Sequence, residues 1–195
     1  MLKTEITQER WLEAQNGEIL HHINESLESS YAHYGDIYEK YFNYLDITKD
    51  LNNKSIMEIG PARFAGLLYC NNYNKSYIVE PLTFEGVKPY YDGKNIEFIN
   101  EIYEDCDSPT VDEIWFLNVL QHVKNPDHLI EKAKKHSKVI KFFEPINTEI
   151  NNEHPFSFSE EDYKYYFGDS VKLYTPNDVN FHNAFCVYGI YKCEE

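Results

Sequence analysis

The stretch Ser55-Ile56-Met57-Glu58-Ile59-Gly60-Pro61-Ala62-Arg63-Phe64-Ala65-Gly66 decides how the chain is read. A short apolar run carries one acid, ends at a glycine, and leads into residues that suit a helix. That is the outline of a strand, a sharp turn and a ligand-facing loop. A pyrophosphate site on such a turn needs further glycines, because backbone must come close to a bulky anion. Here Ala62 and Phe64 stand where those glycines would fall, and Pro61 removes an N–H. The loop therefore suits a ligand without phosphates. Such a ligand could still set a carboxylate against the N–H groups of a helix starting near Arg63.

Working outward, five apolar runs read as strands: residues 54–60, 75–81, 96–101, 112–120 and 138–145. Between them the pattern predicts helices over 62–73 and 125–137. The second has clear start chemistry, with Asn125 as cap, Pro126 in the first position and Asp127 in the positive first turn. Near-continuous apolar strands separated by helices imply a parallel sheet covered on both faces. The ending differs. Ser159 and Asp162 form a capping-box-like pattern. Residues 171–175 and 183–193 then read as a hairpin turning through Pro176-Asn177-Asp178 and added to one sheet edge. Upstream, residues 5–28 and 31–47 read as helices, with Thr4 or Thr7 capping the first, and Asn52-Asn53-Lys54 breaks the pattern.

The bulk numbers narrow the function classes. The chain has 195 residues, which suits one domain burying roughly 70% of its unfolded surface. Its formal net charge of −15 repels phosphate backbones, so general nucleic-acid binding is not expected. The four cysteines form no CxxC and sit at no zinc-ligand spacing, which points to a reduced, cytoplasmic protein. There is no apolar run long enough to span a membrane and no signal-peptide core at the N-terminus. The 17 Tyr and 12 Phe are too many to be all buried, so some should line a cleft. Oligomeric state is not legible.

The segments IMEIGPARFAG (56–66), YIVEP (77–81) and VDEIWFLNVLQHVKNPDHLIEKAKKH (111–136), in this order, resemble the class I S-adenosylmethionine-dependent methyltransferase family. The resemblance covers roughly residues 52–193, with 1–51 as a helical lid of the same domain. It implies an α/β fold: a seven-stranded, mostly parallel sheet with an antiparallel C-terminal hairpin, helices on both faces and the N-terminal lid. It also implies S-adenosylmethionine as cofactor, with S-adenosylhomocysteine as product. Gly60 would let the chain turn against that cofactor, beside Ala62, Phe64 and Pro81. Glu58 would orient the loop. Glu80 would accept from both ribose hydroxyls. Glu101 and Ile102 correspond to the adenine-contacting positions, and Asn118 faces the amino-acid end.

The implied activity is methyl transfer to an oxygen or nitrogen of a small metabolite or sugar. His122 and His154, both on the ligand side of the sheet, are the candidate bases. Trp11, Tyr31, Tyr34 and Tyr38 are candidates to place a ring against the sulfonium. Glu18 and His22 share one helix face, but no further ligand accompanies them in sequence, so no metal is expected. Two rival readings remain: a relative that no longer catalyses and acts as a binding or assembly protein, which Ala62 and Phe64 motivate, and a nicotinamide-dependent oxidoreductase, which Pro61 and Phe64 oppose.

Overall fold

Alternation along the central strands sends side chains to two cores. Met57 and Ile59 of the first strand point to one face and Ile56 to the other; Ile114 and Phe116 of the fourth oppose Trp115 and Leu117. These residues are buried on both faces, as a sheet covered on both sides requires. The computed structural model describes residues 5–22, 25–176 and 184–194. Thr4 and most of the expected hairpin turn lie outside them.

The strands are β1 (Ile56–Ile59), β2 (Ser76–Val79), β3 (Ile96–Ile99), β4 (Val111–Leu117), β5 (Ser137–Pro145), β6 (Lys172–Tyr174) and β7 (Cys186–Lys192). They form a seven-stranded sheet in the order β3-β2-β1-β4-β5-β7-β6. Pairing is parallel from β3 to β5 and antiparallel at β7 and β6. The helices are α1 (Gln8–His22), α2 (Leu27–Tyr44), α3 (Lys88–Tyr91), α4 (Pro126–His136) and α5 (Glu160–Phe167). Three expected start signals are present. Asn125 accepts from the His128 N–H at the head of α4, and Ser159 with Asp162 closes a full capping box at α5. Thr7 accepts from the Arg10 N–H at the head of α1.

Two expectations are corrected. The helix expected over 62–73 does not form; only one 3-10 turn, Gly66–Tyr69, stands there. The loop finds other partners for its amides. Glu58 accepts from Gly66 and Leu67, and the Tyr91 hydroxyl accepts from Ala65, so the backbone has no need of helical bonds. The first expected helix also ends early, at His22, and a second begins at Leu27 with Ser26 as its cap. On this face of the sheet the crossovers are single turns, and α2 supplies the missing cover. Its Tyr38, Tyr41 and Phe42 pack with Leu67, Leu68, Trp115 and Phe143.

Order at the carboxyl edge of the sheet comes from buried carboxylates. Glu144, near the end of β5, is fully buried and accepts from the amides of Val119 and Leu120 at 3.0 Å. It thereby holds the loop that leaves β4. Glu144→Ala should destabilise the protein by about 2–3 kcal/mol, since it orphans two buried donors. Urea denaturation of the purified variant checks this.

Candidate active site

The sheet's switch point lies between β1 and β4, where strand order reverses. The loops after these strands diverge there and leave a crevice. It is a cavity of about 410 Å³, walled by Gly60–Ala62, Glu80–Leu82, Ile102–Glu104 and Leu117–Val119, and closed over by residues of α1 and α2. Its ionisable wall is one-sided. Glu18, Glu25, Glu80, Glu104 and Glu153 face it together with His22, His33, His122 and His154. No Lys or Arg lines it among the described residues.

The structure brings most of the expected residues to this cavity. Gly60 adopts φ +60°, and a Cβ there would lie 2.3 Å from Val119 Cγ2. Only glycine lets the two diverging loops touch. Ala62 has φ +54° and gives its N–H to Glu80 Oε2 at 2.9 Å, while Leu82 gives its N–H to Oε1 at 2.9 Å. Glu80 thus stands at the end of β2 with each oxygen fixed by one amide. Burial raises its pKa to about 7, against the lowering effect of those two bonds. Pro81, Ile102 and Asn118 line the cavity as well. Asn118 has φ +65°, and its side-chain oxygen accepts from Gln121.

Two expected residues lie elsewhere, and Glu58, expected to orient the loop, is buried beneath it with the Gly66 and Leu67 amides rather than in the cavity wall; burial raises its pKa to about 7. Phe64 is fully buried among Tyr31, Tyr34 and Tyr90, with ring centroids 5.0–6.1 Å away. Its bulk points away from the cavity, which is why it does not block the turn. Glu101 is exposed and faces a separate shallow groove beside β3. Glu104, three residues on, is the acid in the cavity wall; it accepts from the amides of Lys124 and Asn125. Of the four aromatics, Trp11, Tyr34 and Tyr38 line the cavity, whereas Tyr31 packs on Tyr69 and Tyr90.

His122 and His154 come together, with ring centroids 4.7 Å apart. His122 Nδ1 lies 3.0 Å from Glu18 Oε1 of α1 and 3.1 Å from the Glu153 carbonyl; its Nε2 lies 2.9 Å from the Gln121 amide nitrogen. Burial disfavours the charged ring, but the Glu18 carboxylate outweighs it and holds the His122 pKa above its ordinary value. Burial likewise opposes ionisation of Glu18, and the hydrogen bonds from His122 and His22 overcome it and hold that carboxyl far below the usual range. His154 is held by its loop: Asn151 Oδ1 accepts from the amides of Glu153 and His154 at 2.9 Å, and Arg10 of α1 donates to the carbonyls of Asn151 and Asn152. Glu104 and Gln121 were missing from the sequence reading, and Glu18 entered it only through its helical spacing from His22, as a metal pair that was set aside.

No protein-family model matches the chain, and no curated protein matches it in sequence. Solved structures do. A 1,6-didemethyltoxoflavin-N1-methyltransferase from Burkholderia thailandensis, with S-adenosylhomocysteine bound, aligns with TM-score 0.64 over 100% of this chain and 94% of its own, at 10% identity. The fold is that of the class I methyltransferases. NodS, an N-methyltransferase from Bradyrhizobium japonicum WM9 in complex with S-adenosylhomocysteine, aligns with TM-score 0.59 over 80% of this chain and 87% of its own, at 11% identity. The [4+2]-cyclase SpnF aligns with TM-score 0.55 over 72% and 58%, at 9% identity. Folds of this kind thus carry other reactions too, so activity has to be argued from the site.

Gly60→Ala should lower stability by about 1–3 kcal/mol, through the left-handed backbone and the contact with Val119. A thermal melt of the variant beside wild type tests this.

Proposed function

We propose that the protein is an S-adenosylmethionine-dependent methyltransferase acting on an oxygen or nitrogen of a small metabolite or sugar. The observation that carries this reading is Glu80. It is a single carboxylate at the end of β2, facing a cavity with no Lys or Arg in its wall among the described residues, each of its oxygens oriented by a separate amide. Each oxygen keeps a lone pair for a ribose hydroxyl. The turn at Pro61 and Ala62 offers a phosphate little, since proline has no N–H and the Ala62 amide is spent on Glu80. A cationic, phosphate-free cofactor fits these groups; a dinucleotide does not.

The cofactor would supply an activated methyl on a sulfonium. The chain supplies position and exclusion of water. Ile102 and Tyr103 would flank the adenine, and Asn118 would meet the amino-acid end. The tyrosines of α2 and Trp11 of α1 would close the site as a lid. The acceptor would lie against Glu18, His122 and His154, which ease removal of its proton. His154 stands beside His122 in the same wall, with ring centroids 4.7 Å apart.

Calorimetric titration with S-adenosylhomocysteine tests the cofactor. Glu80→Gln should weaken binding roughly 10–100-fold, because one of the two acceptor oxygens becomes an NH2, the charge is lost, and one ribose hydroxyl is left without its partner. Its melting temperature should change little, since relief of a buried charge offsets one lost amide contact. The sign of the pH effect is fixed. Two hydroxyl donors require the ionised carboxylate, and the free enzyme's Glu80 takes up a proton near pH 7. Affinity should therefore fall as pH drops through about 7. Unchanged affinity in Glu80→Gln removes the ribose assignment. His154→Ala should lower turnover by about 10²–10⁴-fold and leave cofactor affinity intact, as acceptor screening with the variant would show.

A further inference from the structure

Glu18, His122 and His154 present one ligand atom each, all within 4.8 Å of one another. They come from α1, from the 3-10 turn after β4, and from the loop after β5. A His–carboxylate ion pair needs only Glu18 and His122. A second imidazole brought edge-on to the first, on a loop tied down by Arg10 and Asn151, is more than that pair requires. Two imidazoles and one carboxylate are the donor set of open, catalytic divalent-metal sites, which leave positions for substrate. We propose that this cluster binds a zinc-class divalent transition-metal ion, which holds and polarises the acceptor's oxygen. The proposal rests on the methyltransferase reading for its role, though not for the binding itself.

The geometry supports it. Zinc bonds of ~2.0–2.1 Å set tetrahedral ligands about 3.3 Å apart. Glu18 Oε1 and His122 Nδ1 are already 3.0 Å apart, so small side-chain rotations complete the set. The Glu153 carbonyl, 3.1 Å from the same nitrogen, is a further oxygen donor at hand. The outer partners also fit. A ligating histidine donates its other ring N–H to an acceptor. Gln121 is buried beside His122 Nε2, and its Oε1 has no hydrogen-bond partner among the described residues. Turning over the Gln121 amide, with that of Asn118 in concert, puts this oxygen on His122 Nε2–H; amide oxygen and nitrogen are interchangeable in shape. Metal at Nδ1 then displaces the proton from that nitrogen to solvent. Five glutamates line the cavity and, among the described residues, no Lys or Arg does, which favours a cation that enters. The ion directs the site to hydroxyl acceptors, since an alcohol bound to it gives up its proton more readily.

The test uses the full chain freed of metal by a chelator. Titration with Co²⁺ should give visible d–d absorption that saturates at a single equivalent and is displaced by Zn²⁺. Glu18→Gln and His154→Ala should each weaken this binding at least roughly tenfold. His128→Ala, an exposed histidine on α4, should not. Circular dichroism and melting temperature confirm that each variant is folded, and His154→Gln serves if His154→Ala is not. No saturable absorption in wild type, equal affinity in all variants, or displacement of Co²⁺ by Mg²⁺ as readily as by Zn²⁺ overturns the proposal. S-adenosylhomocysteine titration in excess chelator is run in parallel. Cofactor binding without metal binding sinks the metal site alone, and metal binding without cofactor binding sinks the methyltransferase reading alone.

Discussion

The carboxyl edge of this sheet depends on one repeated interaction: a buried glutamate whose carboxylate takes two backbone amides. Glu58 takes Gly66 and Leu67, Glu80 takes Ala62 and Leu82, Glu104 takes Lys124 and Asn125, and Glu144 takes Val119 and Leu120. Each pins a loop that leaves the sheet. Loops of this kind would otherwise rely on helix starts or water to satisfy their amides. Burial pushes all four carboxyls upward, with Glu58, Glu80 and Glu144 near 7. The cost of burying a negative charge is offset by charge-assisted bonds to donors that have few alternatives.

That device explains how the chain dispenses with the helix after β1. A helix there would present its N-terminal amides to the ligand. Here those amides are occupied by side chains, and a single 3-10 turn suffices. The face left thin is covered by α2, whose tyrosines reach Glu58 and the turn from above. Arg63 reinforces the link by donating to the Glu25 carbonyl and the Ser30 hydroxyl at 3.1 Å. Lid and loop are thus one packed unit. Changes in α2 should be felt at the turn that faces the cavity.

Much of this was legible in the sequence, because strands buried on both faces and caps such as Asn125 and Ser159 are local signals. Gly60 and Glu80 were legible for the same reason: each ends a strand, and both line the cavity at the strand ends. The helix over 62–73 was misread because the competitors for its amides, Glu58 and Tyr91, sit outside the window that local propensity samples. Glu101 was placed in the site and Glu104 was not, since register just past a strand depends on how the loop turns. Phe64 looked like an obstruction. Its burial among Tyr31, Tyr34 and Tyr90 depends on α2, far upstream in sequence.

The cluster of Glu18, His122 and His154 shows the same limit more sharply. No stretch of sequence holds a ligand set, and Glu18 with His22 alone is unremarkable helix spacing. Only the docking of α1 over the ends of β4 and β5 brings the three together. Arg10 and Gln15 help to hold it: the guanidinium ties α1 to the carbonyls of the loop carrying His154, and the Gln15 amide donates to the His122 carbonyl. The carboxylate and the second imidazole therefore arrive by one packing event. The helix that walls the cavity thus also supplies the carboxylate that pairs with His122.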